Sequence, residues 1–475
     1  MTVPYWVAGK PVTSSTTAVV RHPYDGGEAG SHHVPSTSDI ETAVQAAADV
    51  ADEFATLPAH VRAGALDQVS RGLDSRSEEI AQLITAESGK PLKWARGEVG
   101  RAVSTFRWAA EEARRFSGEL QRLDTDPGGT GRLALVRRVP RGPVLGITPF
   151  NFPLNLVAHK VAPAIAVGAP IVLKPAPATP LTALLLGEIL AETGLPAGSW
   201  SILPIGNEET AELVKDPRLP VVSFTGSVPV GWSIRESVPR KHVALELGGN
   251  GAVLVCPDWT DLDFAAERIA TFGMYQAGQS CISVQRVYVH TDVYDALREK
   301  VLAQVAGLRT GDPREEGVDV GPLINEAAAV RVSSWVSEAV AAGGTLLAGG
   351  GRSGAAVEPT VLADVPEDAL VMAEEVFGPV ISLVRVSSVG EGVARINASR
   401  FGLQAGVFTR DLPTAFDVSA RLKVGGVLVG DVPSFRADQM PYGGVKDSGV
   451  GREGPGAAMA DLTEERVTVL TGVTL

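Results

Sequence analysis

From Leu133 onward the chain alternates short, largely apolar runs with stretches of helical periodicity, and this constrains the fold more than any other feature. Val144–Ile147, Ile171–Leu173, Trp200–Leu203, Val221–Phe224 and Ala252–Cys256 make one series. Arg286–His290, Val380–Val386, Ala405–Thr409 and Gly425–Val429 make a second. A strand with no polar face must be covered on both sides, which βαβ units in a parallel sheet achieve. The expected fold is α/β, and 475 residues exceed the roughly 250–300 that one core serves, so more than one lobe is expected.

The first third reads as helix-rich. Ser38 and Glu41 have capping-box spacing, and Ile40, Val44, Ala47, Ala51 and Phe54 follow at helical intervals. A helix starting near Ser77 is predicted to end at Gly89, before Pro91, and another spans Arg101–Phe116. Leu133–Val139 follows the turn-like segment 126–130 and reads as a strand leaving a hairpin. Arg466–Thr471 is β-like with no partner nearby in sequence, so it is expected to join that hairpin or another subunit.

Composition narrows the function. Lys and Arg number 42 against 55 Asp and Glu, a net charge of −13 that argues against nucleic acid as a partner. No apolar run reaches the roughly 18 residues of a membrane span, and the opening MTVPYWVAGKPV lacks the pattern of a signal peptide. The two cysteines, Cys256 and Cys281, cannot form a disulfide framework, so a cytoplasmic location is expected. No Cys/His/Asp cluster has metal-ligand spacing, and no metal site is expected.

Cys281 lies among small and polar residues in Gly278-Gln-Ser-Cys281, whereas Cys256 closes an apolar run and reads as a core residue. Glu246, at a strand end and followed by two glycines, is a candidate base; a thiol and a carboxylate together suit covalent acyl chemistry. Asn151, within Thr148-Pro149-Phe150-Asn151-Phe152-Pro153, suits either an oxyanion donor or the N-cap of the following helix. Gly226 and Ser227 sit at a strand-to-helix turn that is an anion site or simply a tight turn. Lys174 ends an apolar strand, at the edge where α/β sheets bind ligands. Glu374, Glu375 and Phe377 precede a turn, with an exposed helix end as the alternative.

Together these segments resemble the aldehyde dehydrogenase superfamily: TPFNFP (148–153), KPA (174–176), FTGS (224–227), LELGGN (245–250), GQSC (278–281), EEVFGP (374–379) and PYGGVKDSGVGREG (441–454). The resemblance implies a Rossmann-like cofactor domain (1–118 and 143–246), an α/β catalytic domain (247–460) and a small β bridging element (119–142 and 461–475) that makes a homodimer or homotetramer. It implies Cys281 as nucleophile, Asn151 and the Cys281 N–H as oxyanion donors, and Glu246 as the base that activates water. It gives NAD or NADP to Thr148, Pro149, Phe150, Lys174, Gly226, Ser227, Glu375 and Phe377. The substrate pocket would be lined by Phe152, Leu156, His159, Phe435 and Tyr442.

The chain departs from the family pattern at three places. Pro177 stands where many members carry a ribose-binding glutamate, which removes repulsion toward a 2′-phosphate and admits NADP. Pro229 replaces another usual glutamate, and Gly430 stands where an asparagine is common. Segment 431–442 looks like the lactaldehyde and glyceraldehyde-3-phosphate branch. Because Ser280 and Phe152 bring no positive charge beside the nucleophile, a neutral small or medium aldehyde is the expected substrate. The alternatives are a coenzyme A-acylating enzyme, which can dispense with a residue such as Glu246, and a non-catalytic family member.

Overall fold

The computed structural model describes residues 2–473; positions 474 and 475 of the predicted bridging segment lie outside the described residues. The first apolar series builds a sheet whose parallel strands run, in space, His242–Glu246, Val221–Thr225, Val144–Ile147, Ile171–Lys174 and Trp200–Ile202. From Val144–Ile147 the chain moves outward through Ile171–Lys174 to Trp200–Ile202, then returns to Val221–Thr225 on the other side. This reversal opens a crevice beyond the carboxyl ends of Val144–Ile147 and Val221–Thr225, the place where open α/β sheets bind ligands. Helix Asn155–Val167 is buried along its whole length, its polar residues Asn155, His159 and Lys160 included.

The second sheet runs Thr345–Ala348, Thr360–Ala363, Val380–Val386, Val284–His290, Gly251–Val255, Gln404–Phe408, Gly426–Val429. Ala252–Cys256, read from sequence as the end of the first series, belongs here instead: Gly251–Val255 pairs with Val284–His290 and with Gln404–Phe408. The chain leaves the first sheet at Glu246 and crosses to the second through Gly248-Gly249-Asn250.

The early chain differs from expectation in four respects. Thr17–Arg21 and Glu28–His33 form an antiparallel ribbon, although Glu-Ala-Gly-Ser-His-His has little strand character of its own. Helix Ala59–Ser75 starts directly after Pro58 with no side-chain cap, so its usual start signal is missing. The first helix, Thr37–Thr56, is capped by Ser36 and Asp39, not by Ser38 and Glu41. Ser36 has the extended backbone a cap needs, while Ser38 already lies inside the first turn. The helix ending at Ser88 stops at Gly89, which takes a left-handed φ of 71°. The predicted Arg101–Phe116 helix is longer, spanning Leu92–Arg115.

A third sheet joins distant segments. Thr463–Thr471 pairs antiparallel with Arg132–Pro140 along its full length, and Glu119–Arg122 lies on the other side.

Candidate active site

Cys281 follows a loop in which Gln276, Ala277 and Gly278 all have positive φ (53°, 54° and 69°). Such backbone costs of order 1–3 kcal/mol per non-glycine residue and persists only where the surroundings impose it. Here the loop is held from both lobes. Asn151 Nδ2 donates to the Gln279 carbonyl at 3.0 Å, and Gln276 Nε2 donates to the Asn151 carbonyl. Gln279 accepts from Ile324 N at 2.9 Å.

Asn151 is therefore not the N-cap of helix Asn155–Val167. That helix start is held by the Glu98 carboxylate, which accepts from Leu154 N and Asn155 N at 2.9 and 3.1 Å. Glu98 is also paired with Lys90, and both are fully buried. With its capping role taken, Asn151 keeps a second amide N–H. The Cys281 backbone N–H has no protein acceptor among the described residues.

Glu246 ends strand His242–Glu246 and is buried, with neither carboxylate oxygen hydrogen-bonded among the described residues. Burial, then the nearby Glu453 charge, push its pKa well above the usual carboxylate range. Glu453 goes the other way, down to about 2, because the Arg436 and Lys160 charges outweigh its burial. Cys281 is a half-buried thiol whose pKa is pushed up to about 12, chiefly by burial. Its Sγ lies 3.0 Å from Tyr442 Oη.

The glycines after Glu246 are required by close approach. A Cβ on Gly248 would overlap the Glu375 carboxylate, and one on Gly249 would overlap the Cys281 carbonyl. Gly249 N donates to Glu375 Oε1 at 2.9 Å, so Glu375 faces the site and is not an exposed helix end. Burial raises Glu375 to about 7. Phe377 sits edge-on to Phe150 at 5.9 Å.

The crevice at the strand-order reversal gathers the other predicted cofactor residues. Thr148, Pro149 and Phe150 follow strand Val144–Ile147, and Gly226 and Ser227 follow Val221–Thr225. Ser227 is the N-cap of helix Val228–Ser237 but makes no capping bond, which leaves the helix start without a side-chain acceptor, and Pro229 fits the first turn. Lys174 is buried, its amine makes no hydrogen bond among the described residues, and desolvation lowers its pKa to about 8. An orphaned buried amine, an uncapped helix start and a carboxylate facing the same crevice fit a nicotinamide dinucleotide.

Of the predicted pocket residues, Tyr442 reaches the thiol, whereas His159 lies in a buried polar layer and bonds Asp438 Oδ1 at 3.2 Å. Leu156 is buried in the same helix and Phe435 is exposed. Three cations gather around Phe152 and Tyr442, each paired with its own carboxylate: Lys90 with Glu98, Arg101 with Asp438 at 2.9 Å and Arg436 with Glu453 at 3.1 Å. Lys90 Nζ lies 4.0 Å from the Phe152 ring centroid, and Arg101 Cζ lies 5.8 Å from it. The Arg436 side chain is buried, with its guanidinium 3.9 Å from the Tyr442 ring centroid and its Nε without a partner among the described residues. Local sequence gives no signal for these cations: Lys90 and Arg101 reach Phe152, and Arg436 reaches the surroundings of Cys281, from distant segments. Gly430 is also explained: its φ of 78° is left-handed, the region glycine and asparagine tolerate best.

A dinucleotide-type crevice opening onto a thiol, with an unpaired carboxylate nearby, defines an oxidoreductase of the α/β class. The chain belongs to the aldehyde dehydrogenase family, which it matches over residues 8–468. It is 41% identical over 466 residues to the 3-sulfolactaldehyde dehydrogenase of Priestia aryabhattai, covering 98% of this chain and 97% of that protein. Aldehyde dehydrogenase 21 of Physcomitrella patens, solved with its reaction product succinate, superposes with a TM-score of 0.98 at 46% identity, covering 99% and 98% of the two chains. The NADP-dependent glyceraldehyde-3-phosphate dehydrogenase of Bacillus halodurans, solved with NADP, gives 0.95 at 35% identity and 100% coverage of both. The protein is thus an aldehyde dehydrogenase that uses NAD or NADP.

Proposed function

We propose that this enzyme oxidises a short aldehyde carrying a remote anionic group to the corresponding acid, with Cys281 as nucleophile. The Cys281 thiolate adds to the carbonyl carbon, and the resulting oxyanion is met by Asn151 Nδ2 and the Cys281 N–H. When bound, NAD(P)+ supplies the acceptor for the hydride that leaves this carbon, so that a thioester remains on Sγ. Glu246, with both oxygens free, then takes a proton from water as that water attacks the thioester carbon. The C–S bond breaks, the acid leaves and the Cys281 thiolate returns. A coenzyme A-acylating enzyme has no such use for Glu246.

Lys174, Gly226, Ser227 and Glu375 would hold the dinucleotide, with Thr148, Pro149, Phe150 and Phe377 packed around it. Pro177 puts no carboxylate beside Lys174, which supports acceptance of NADP. The two sheets support a division into a cofactor domain (1–118 and 143–246), a catalytic domain (247–460) and a bridging element (119–142 and 461–475). In that element Val467, Val469 and Leu470 are exposed on an edge strand, which supports a homodimer or homotetramer. Both cysteines are free, in keeping with a reducing cytoplasm.

The substrate class is carried by the unpartnered Nε of buried Arg436, together with Arg101 beside Phe152. A buried guanidinium with an unused donor suits a carboxylate, sulfonate or phosphate. The three similar proteins named above carry sulfonate, carboxylate or phosphate in their substrate or product names. The test is a panel pairing succinic semialdehyde with butanal, run with NAD and NADP. The anionic aldehyde is expected to give a kcat/KM at least about tenfold higher, as a charged hydrogen bond of 1.5–3 kcal/mol implies. Arg101→Met should erase most of that preference; equal rates in the wild type would reject the substrate class.

A further inference from the structure

We propose that the Tyr442 hydroxyl is a catalytic hydrogen-bond donor to the Cys281 sulfur, stabilising its thiolate both when it attacks and when it is expelled from the thioester. The inference rests on Cys281 being the nucleophile. Among the described residues, Tyr442 Oη is the sole hydrogen-bond partner of Sγ, at 3.0 Å.

The tyrosine is fixed on every side. Its backbone exchanges two hydrogen bonds with Glu453, N to O at 3.0 Å and O to N at 2.7 Å. Its ring packs with Ile282 and Leu403, against which Cys281 also lies. The other face carries the Arg436 guanidinium, itself held by Glu453 at 3.1 Å. A cation over the ring stabilises negative charge developing on the phenol oxygen, so the hydroxyl becomes a stronger donor.

The thiol needs such a partner. The charged and titratable groups that influence it are Tyr442, Glu375, Arg436 and Glu246, with Tyr275 also close. Burial and the two carboxylates hold the proton on sulfur, while Tyr442 and Arg436 favour the thiolate. Burial keeps the tyrosine's own proton in place well beyond the usual phenol range, so it donates without transferring it. The thiol proton leaves to solvent, and the phenol O–H turns toward the thiolate left behind. On deacylation the same O–H meets sulfur as the C–S bond breaks and the electron pair returns to it.

The test is Tyr442→Phe, which deletes one oxygen and keeps the ring beneath Arg436. The reagent is iodoacetamide, neutral and unrelated to the aldehyde: the S–C bond forms and iodide leaves. Cofactor affinity, read by fluorescence, serves as the control for an intact fold. Alkylation of Cys281, located by peptide mass, is expected to slow about tenfold at neutral pH, with its pH profile displaced upward by about one unit. With substrate, kcat should fall while KM changes little. A Tyr442→Phe protein alkylated at the wild-type rate with an unmoved profile would overturn the proposal. Neither readout of alkylation depends on which aldehyde is used. An active Cys281→Ser variant would instead remove the nucleophile assignment.

Discussion

Asn151 donates its amide across the cleft to the Gln279 carbonyl at 3.0 Å, tying the segment after strand Val144–Ile147 to the loop that presents Cys281. One side chain thus registers the two lobes and still offers an N–H to the site. Asn151→Ala should lower kcat by about 10²–10³-fold, the cost of removing one oxyanion donor. Stopped-flow measurement of the first turnover checks it, since loss of Asn151 acts before the thioester forms.

Glu246 should be read through its protonation. Its folded-state pKa lies above the usual carboxylate range because of burial first and Glu453 second. The base form is therefore lost as pH falls, and deacylation should decline at a higher pH than an ordinary glutamate would dictate. Glu246→Gln should remove this limb and let an acyl adduct accumulate on Cys281, visible by intact mass. Normal turnover in that variant would assign the base elsewhere.

Lys174 carries the opposite sign. Desolvation lowers it to about 8, so it is charged below that pH and loses its charge as pH rises through it. NADP affinity, measured by titration calorimetry, should weaken as pH climbs past about 8. Lys174→Met should bind about ten- to hundredfold more weakly at neutral pH and show little of this dependence.

Glu98 serves stability. Its carboxylate holds the start of helix Asn155–Val167 and neutralises buried Lys90. Glu98→Ala should cost about 3–5 kcal/mol, because it strands a buried cation. Urea denaturation would show this as a lower midpoint at nearly unchanged slope.

The chain alone carried the fold class, because largely apolar strands separated by helices have few other solutions. It also singled out Cys281 and Glu246 as candidates, since a thiol among small polar residues and a carboxylate before two glycines are poor core choices, while Asn151 was open between oxyanion donor and helix cap. The sheet to which Gly251–Val255 belongs was not legible, because an apolar run does not say which neighbour it pairs with. The orphan run near the C-terminus was legible as a strand, while its pairing with Arg132–Pro140 depends on where distant segments meet.

The placing of Arg101 and Arg436 was decided by tertiary structure. In sequence, Arg101 opens a predicted helix and Arg436 lies in segment 431–442, and neither position marks a site residue. Folding brings one beside Phe152 and buries the other over Tyr442. The Tyr442 hydroxyl reaches Sγ in the same way, from a remote segment. Local sequence determined which groups are candidates for reaction because their chemistry is intrinsic to the side chains. Burial, pKa and pairing are properties of what surrounds a group, and only the packed chain supplies those surroundings.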